Sequence, residues 1–257
     1  MKQLALSAAL VLVAGMLIQA VAQTGMTASQ TASTGKIGES QVWPASQDFI
    51  DKAHTVCDKA MNPASFTECF INQMSAAGAP ADAVSFTRML YQENGGLVGM
   101  MSMFKKSGPV DAAQVFYPLR ANDNYALLLV NGDPNILDVD DLQKLDQAAM
   151  QQDPLFQSIK KQYPNATLFP GDRSGNAPWP RVQPLPNGGQ QFIVTYLLLE
   201  GCHACKHLGV ARFGWDFDAS GKFLKTTYIP TAPPPKLLKR PRGQYPGQQP
   251  AQQQNPQ

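Results

Sequence analysis

Residues 190–230 read QQFIVTYLLLEGCHACKHLGVARFGWDFDASGKFLKTTYIP, and this stretch decides the fold of the chain. Gln191 to Glu200 is a long run of β-prone residues, and Val210 to Phe217 alternates apolar and polar side chains. Asp218 to Gly221 has the composition of a turn and leads into a third β-prone run, Phe223 to Ile229. The pattern predicts an antiparallel meander of three strands with one apolar face.

The segment before residue 80 has helical periodicity instead. Ser46 precedes apolar residues at helical spacing, which predicts an N-cap, and Asn62-Pro63 predicts the cap and first turn of a second helix that ends at Gly78. Cys57 and Cys69 lie at similar distances from the turn between the two helices. We therefore expect an antiparallel helical hairpin closed by a Cys57–Cys69 disulfide, which contributes roughly 3 kcal/mol on the loop-entropy relation.

Helices and a short hairpin are also predicted between this helical pair and the meander. A third helix is expected from Pro80 to Gly95, and strands at Val115 to Leu119 and Tyr125 to Val130 form a β-hairpin. Asp138 is expected to cap a helix, and Asp153-Pro154 to open the next one. The predicted fold class is α+β: a helical N-terminal part followed by a small antiparallel sheet.

The N-terminus has the composition of a secretory signal. Lys2 precedes an apolar run from Leu4 to Ile18, which is shorter than the roughly 20 residues that a membrane-spanning helix needs. Small residues at Ala20 and Ala22 suit a signal peptidase, so we expect cleavage after Ala22. Because no second apolar run follows, we expect a periplasmic or secreted protein with no transmembrane anchor.

Composition divides the rest of the chain into further segments. The expected order is a signal peptide at 1–22, a disordered leader at 23–43, a mainly helical domain at 44–165, a Pro/Gly-rich linker at 166–189, the meander at 190–230 and a disordered Pro/Gln-rich basic tail at 231–257. Within the linker, Asp172 and Arg173 are expected to form a local ion pair that pins a turn.

Charge excludes some classes of partner. The whole chain has 21 Lys and Arg against 19 Asp and Glu, a net charge of +2, and no strip of interleaved basic and aromatic residues, so no nucleic-acid partner is expected. The tail alone is locally basic, and weak contact with an anionic surface would involve four cations: Lys236, Lys239, Arg240 and Arg242.

The loop between the first two strands of the meander concentrates the reactive side chains of the chain. Two of the four cysteines and two of the three histidines lie within six residues, together with one lysine: Cys202, His203, Cys205, Lys206 and His207. Export to an oxidising compartment favours a Cys202–Cys205 disulfide. Such a ring would hold His203 outward and leave the loop pre-ordered for a partner, with no cofactor.

Other kinds of chemistry remain open for the same residues. A Cys-x-x-Cys pair is the dithiol of thioredoxin-like proteins, although there it opens a helix, whereas strands flank it here. Zinc or copper would use Cys202, Cys205 and His207, provided that the thiolates escape oxidation. Covalent haem normally needs a histidine directly after the second cysteine, where this chain has Lys206.

The meander and its loop resemble the Ivy family of periplasmic inhibitors of vertebrate-type lysozyme. The resemblance is carried by Phe192 to Tyr196, the Cys202–Cys205 loop, Val210 to Trp215, the turn at Ser220-Gly221 and Lys222 to Leu224, over about 40 residues. It implies a loop that enters the cleft of a lysozyme, with His203 as the residue placed between the two catalytic carboxylates. The loop of that family has four residues between its cysteines, whereas this loop has two.

We find no Gly-rich phosphate loop, nucleophile elbow or acidic pair at metal-binding spacing in the sequence. The expected function is therefore that of a non-enzymatic periplasmic binding protein that presents the loop to a protein partner, with a lysozyme or other cell-wall hydrolase as the candidate. The alternative is a thiol-disulfide or metal-handling protein that uses the same cysteines and histidine.

Overall fold

The computed structural model describes residues 35–60, 62–93, 97–120, 124–173 and 177–232. The predictions for the signal peptide, for leader residues 23–34 and for tail residues 233–257, including its four cations, lie outside this range. Within it, no helix combines the length and the apolar character needed to cross a bilayer.

The predicted helical hairpin is confirmed. Helix α1 spans Gln47–Cys57 and α2 spans Pro63–Ala76, and they are capped by the side chains of Ser46 and Asn62, which accept hydrogen bonds from backbone N–H groups of the first turns. The Cys57–Cys69 disulfide joins them, with 5.7 Å between the Cα atoms. Helix α3, Ala81–Glu93, follows as predicted.

The first sheet has four antiparallel strands in sequence order: β1 Met100–Lys105, β2 Asp111–Phe116, β3 Tyr125–Val130 and β4 Ile136–Asp138. The predicted hairpin corresponds to β2 and β3. Strand β1 was not predicted because its sequence, MMSMFK, is rich in unbranched methionines with little strand preference. Strand β4 is only three residues long, which is too short for a periodic pattern.

The predicted helix cap at Asp138 is wrong. Asp138 ends β4, and its carboxylate accepts the N–H of Asp140 at 2.8 Å, which turns the chain instead of starting a helix. A 3-10 turn at Leu142–Lys144 follows, and helix α4, Gln147–Gln151, is capped by Asp146. Helix α5, Pro154–Gln162, begins as predicted, with the Asp153 carboxylate accepting the N–H of Phe156.

The second sheet contains the predicted meander and two further strands. Strands β7 Gln190–Glu200, β8 His207–Phe217 and β9 Phe223–Ala232 are antiparallel neighbours. Residues 166–189 do not form a linker: β5 Ala166–Pro170 and β6 Arg181–Pro184 lie in this segment. Both pair with the same edge of β7, β5 at its C-terminal half and β6 at its N-terminal end.

The described parts of the chain form one compact unit. Leu127 and Leu129 of the first sheet share an apolar core with Phe213 and Trp215 of the second, and helices α4 and α5 complete this core. The opposite face of the first sheet packs on α3. The helical part and the meander are therefore layers of one α+β structure that share side-chain contacts.

The end of the predicted disordered leader is ordered. Ile37 is 2% exposed, and the side-chain amide of Asn131 binds both its N–H and its carbonyl. A 3-10 turn follows at Glu39–Gln41, and the backbone N–H of Trp43 donates to the carbonyl of Met101 on β1. The segment was mispredicted because its few large apolar residues, such as Ile37, become buried only by packing against distant parts of the chain, the first sheet and helix α3.

Candidate functional site

The Cys-x-x-Cys loop joins the ends of β7 and β8, the longest strands of the second sheet. The N–H of Glu200 donates to the carbonyl of Lys206, which continues the ladder to the base of the loop. Gly201 then has a φ of +85°, in the left-handed region that a side chain disfavours. Two long paired strands and a glycine turn thus hold the loop at a defined place on the sheet.

The predicted Cys202–Cys205 disulfide is formed. The Cα atoms lie 5.0 Å apart, and the N–H of Cys205 donates to the carbonyl of Cys202 at 3.0 Å, so that the ring contains a hydrogen-bonded turn. Residues from Gly201 to Lys206 are all exposed. The ring is therefore a short closed projection and is not part of the apolar core.

Two aromatic side chains from outside the loop support its polar residues. The rings of His203 and of Phe169 on β5 are in T-shaped contact, with 4.4 Å between their centroids. The Lys206 ammonium lies 4.5 Å from the ring centre of Tyr163 and donates to its hydroxyl. That hydrogen bond raises the pKa of Lys206 above its usual range. We call Tyr163 and Phe169 the aromatic platform.

His207 is separated from the other predicted site residues. It is half-buried at the start of β8, and its Nε2 lies 2.8 Å from the carbonyl oxygen of Gly209. The structure therefore brings together His203, Lys206 and the disulfide, whereas His207 turns back to its own strand. Cys202 and Cys205 have no thiolates in this state, so the alternative metal site with His207 would require the reduced chain.

A groove on the outer face of the second sheet was not predicted. It has a volume of about 670 Å³, and its wall consists of residues 171–173, which follow β5, and 177–181, which lead into β6. Its floor consists of side chains that point away from the core: Ile193, Thr195 and Leu197 on β7, Arg212 on β8, and Thr227 and Ile229 on β9.

One end of the floor is an ordered row of polar side chains across four strands, β6 to β9. The Gln183 amide donates to Gln191 at 2.7 Å, and Gln191 donates to Asp216 at 2.6 Å. The Thr227 hydroxyl donates to the second carboxylate oxygen of Asp216 at 2.7 Å. A Cβ on Gly214 would lie 2.4 Å from the Gln191 amide nitrogen, so only glycine leaves room for this arrangement.

A buried ion pair anchors the groove wall. Arg173 pairs with Asp140 at 3.1 Å, not with its neighbour Asp172, and both side chains are about 10% exposed. The same guanidinium donates to the carbonyl of Thr195, at the gap between β5 and β6 on the edge of β7. The predicted local Asp172–Arg173 pair is therefore wrong, because the turn after β4 delivers a carboxylate from 33 residues upstream.

Burial dominates the electrostatics of this anchor. It raises the pKa of Asp140 to about 6, against the opposing attraction of Arg173. It also raises the pKa of Asp138 nearby. The Tyr196 hydroxyl, whose pKa burial raises as well, donates to the carbonyl of Val139 and accepts from the Trp215 indole.

A sequence signal for the groove is present in β7. A strand with one solvated face should alternate, yet Ile193 and Leu197 place aliphatic side chains on the face opposite the core. This excess of apolar residues indicates a strand covered on both sides or one that lines a site. The sequence does not show which residues complete the site, because the wall is formed mainly by residues between β5 and β6.

Comparison of the chain with models of protein families, with curated proteins and with solved structures gave no match. The local resemblance to the Ivy family therefore rests on the residues quoted above.

Proposed function

We propose that this chain is an exported, non-enzymatic binding protein that presents the Cys202–Cys205 loop to a protein partner. The observation that carries the proposal is the support of the loop: a disulfide closes it, and the aromatic platform holds His203 and Lys206. A loop ordered before binding loses less conformational entropy when it docks, so more of its contact free energy becomes affinity. Two disulfides favour an oxidising compartment, and we propose the periplasm or the extracellular space.

The chemistry of the loop tip suggests the class of partner. The exposed imidazole of His203 and the ammonium group of Lys206, three residues apart, are hydrogen-bond donors suited to a cleft that contains carboxylates. Glycoside hydrolases carry a pair of catalytic carboxyl groups in their cleft, separated by about 5–9 Å. Together with the Ivy resemblance, this supports a lysozyme-type cell-wall hydrolase as the partner, with His203 between its carboxylates and Lys206 at the rim.

The test measures inhibition of a vertebrate-type lysozyme and of bacterial cell-wall hydrolases by the purified chain. The His203→Ala variant should inhibit about tenfold more weakly or worse, because it lacks a central anchor of the interface. His54→Ala is a matched control, because His54 is also exposed and also meets a phenylalanine ring, that of Phe66 on α2. The proposal fails if none of these enzymes is bound, or if inhibition survives both His203→Ala and reduction of the loop.

Thiol-disulfide exchange is the second candidate. The observation in its favour is that both Cys202 and Cys205 are exposed, with the Lys206 ammonium adjacent in sequence, which would stabilise a thiolate after reduction. Equilibration with glutathione buffers, followed by alkylation and intact-mass analysis, measures the redox potential of the pair. A potential well below that of the glutathione pool would identify a structural bond, and one above it would favour exchange.

A further inference from the structure

The groove on the outer face of the second sheet has the size and composition of a small-molecule site. Its volume of about 670 Å³ falls within the roughly 300–1,000 Å³ typical of ligand pockets. Such pockets combine an apolar lining with a few polar groups that converge on it. The groove does not include the Cys202–Cys205 loop, and no role in the proposed function requires it.

Part of its floor is apolar. Ile193, Leu197 and Ile229 are half-buried, although they lie on the face of the sheet that points away from the core. Trp179 in the wall is also half-buried and adds an aromatic surface. Covering these side chains would remove further apolar area from water, which favours a ligand with an apolar body.

Two guanidinium groups also line the groove, that of Arg212 in its floor and that of Arg181 in its wall. Arg212 is exposed at the centre of β8, directly between Thr195 on β7 and Ile229 on β9. Among the described residues, no carboxylate lies within ion-pair distance of Arg212 or of Arg181. Arg181 uses one N–H to reach Gln183 at 2.8 Å and retains its other donors.

Among the described residues, the acidic side chains at the groove do not form direct ion pairs with these two arginines. Asp216 is 5% exposed, and both of its carboxylate oxygens already accept hydrogen bonds, from Gln191 and Thr227. Arg173 is neutralised by Asp140. One further carboxylate, Asp172, lies in the wall, and the Lys105 ammonium lies 6.0 Å from the centre of the Trp179 ring in the same wall.

We propose that this groove binds an amphipathic organic anion, with the apolar body of the ligand along Ile193, Leu197 and Ile229 and its carboxylate on Arg212. A planar guanidinium binds a carboxylate through two parallel hydrogen bonds, which fixes the orientation of the ligand as well as its charge. The Thr195 hydroxyl lies beside Arg212 in the same cross-strand row and supplies a third polar contact. Trp179 and Arg181 close the opposite side.

The test uses 11-(dansylamino)undecanoic acid, a fluorescent fatty-acid analogue, and its methyl ester, each below its micellar concentration. The full chain should bind the acid with a dissociation constant in the micromolar range. It should bind the ester at least about tenfold more weakly, because the ester lacks the charge that pairs with Arg212. Arg212→Gln should weaken binding of the acid by about tenfold and leave binding of the ester unchanged. Arg212→Lys should retain part of the affinity.

Arg88→Gln is the matched control, because Arg88 is an arginine of helix α3 that pairs with Glu68 far from the groove in sequence. Equal binding of the acid and the ester, or wild-type binding by Arg212→Gln, would overturn the proposal. His203→Ala should not change binding of the acid. This variant therefore separates the groove from the loop, so that failure of one proposal leaves the other standing.

Discussion

At the scale of single residues, the Asp140–Arg173 pair is the most consequential contact that the sequence did not reveal. Both side chains are buried, and Arg173 additionally bonds the exposed edge of β7 through the carbonyl of Thr195. Removing either partner leaves an uncompensated charge in a low-dielectric site, which is strongly destabilising. The pair therefore holds the wall of the groove against the sheet.

The raised pKa of Asp140 predicts a pH dependence of stability. Its pKa of about 6 in the folded chain exceeds the ordinary aspartate value of 3.8, so the folded state binds this proton more tightly than the unfolded state does. The contribution of Asp140 to the free energy of unfolding should increase as the pH falls from 7.5 to 4.5, by about 2 kcal/mol. Asp140→Asn, which cannot titrate, should lack this increase.

Urea denaturation at a series of pH values measures the effect as the difference between wild type and Asp140→Asn. Other carboxylates, such as Asp141 and Asp218, whose pKa values are lowered by hydrogen bonds, contribute with the opposite sign to both proteins and largely cancel in the difference. Parallel stability curves for the two proteins would show that Asp140 titrates normally.

At the scale of elements, the two disulfides close loops of different length in different surroundings. Cys57–Cys69 joins α1 to α2 across 12 residues, and Cys57 is 1% exposed. Cys202–Cys205 spans three residues in an exposed loop. The first bond constrains the unfolded chain more, and its cysteines also pack in the core between the helices and Met100.

We predict that Cys57→Ala combined with Cys69→Ala lowers the free energy of unfolding by about 3 kcal/mol, and that Cys202→Ala combined with Cys205→Ala lowers it by about 2 kcal/mol. The difference follows from the length of the closed loop, and the lost packing of Cys57 adds to it. Denaturant unfolding of both double variants under non-reducing conditions gives the comparison. A larger loss of stability in the Cys202–Cys205 double variant would contradict the prediction that the Cys57–Cys69 disulfide contributes more to the free energy of unfolding.

At the scale of the whole molecule, a glutamine side chain joins the two sheets. The side-chain carbonyl of Gln190 accepts the backbone N–H of Val110, and its side-chain NH₂ group donates to the backbone carbonyls of Ser107 and Val110, each at about 3 Å. Gln190 is 5% exposed and Val110 is fully buried. The start of β7 is thereby tied to the start of β2, 80 residues earlier.

Gln190→Ala should lower the free energy of unfolding by about 2–4 kcal/mol, because it leaves buried backbone groups of the first sheet without partners. Gln157→Ala is the control: Gln157 is exposed and donates to the carbonyl of Gln151, and its loss should cost less than about 0.5 kcal/mol. Far-UV circular dichroism and tryptophan fluorescence should give coincident unfolding curves for wild type. Two separate transitions would show that the sheets unfold independently.

The elements that were predicted correctly are those whose signals are local. The caps at Ser46 and Asn62 act within one helical turn, and the alternation in β8 reflects a core on one side of a strand. The segment that contains strands β5 and β6 was predicted to be a linker, because proline and glycine dominate it and neither strand is longer than five residues. Their strand conformation depends on the edge of β7, to which they pair.

By itself the sequence determined the α+β class, the helical hairpin, the three-stranded meander and both cysteine pairings, because each depends on residues close together along the chain. Only the tertiary structure decided three features. These are the apolar core shared by the two sheets, the contacts of His203 and Lys206 with the aromatic platform, and the groove around Arg212. The contacts of the aromatic platform join residues 34 and 43 positions apart, and no periodicity encodes which distant side chains will meet.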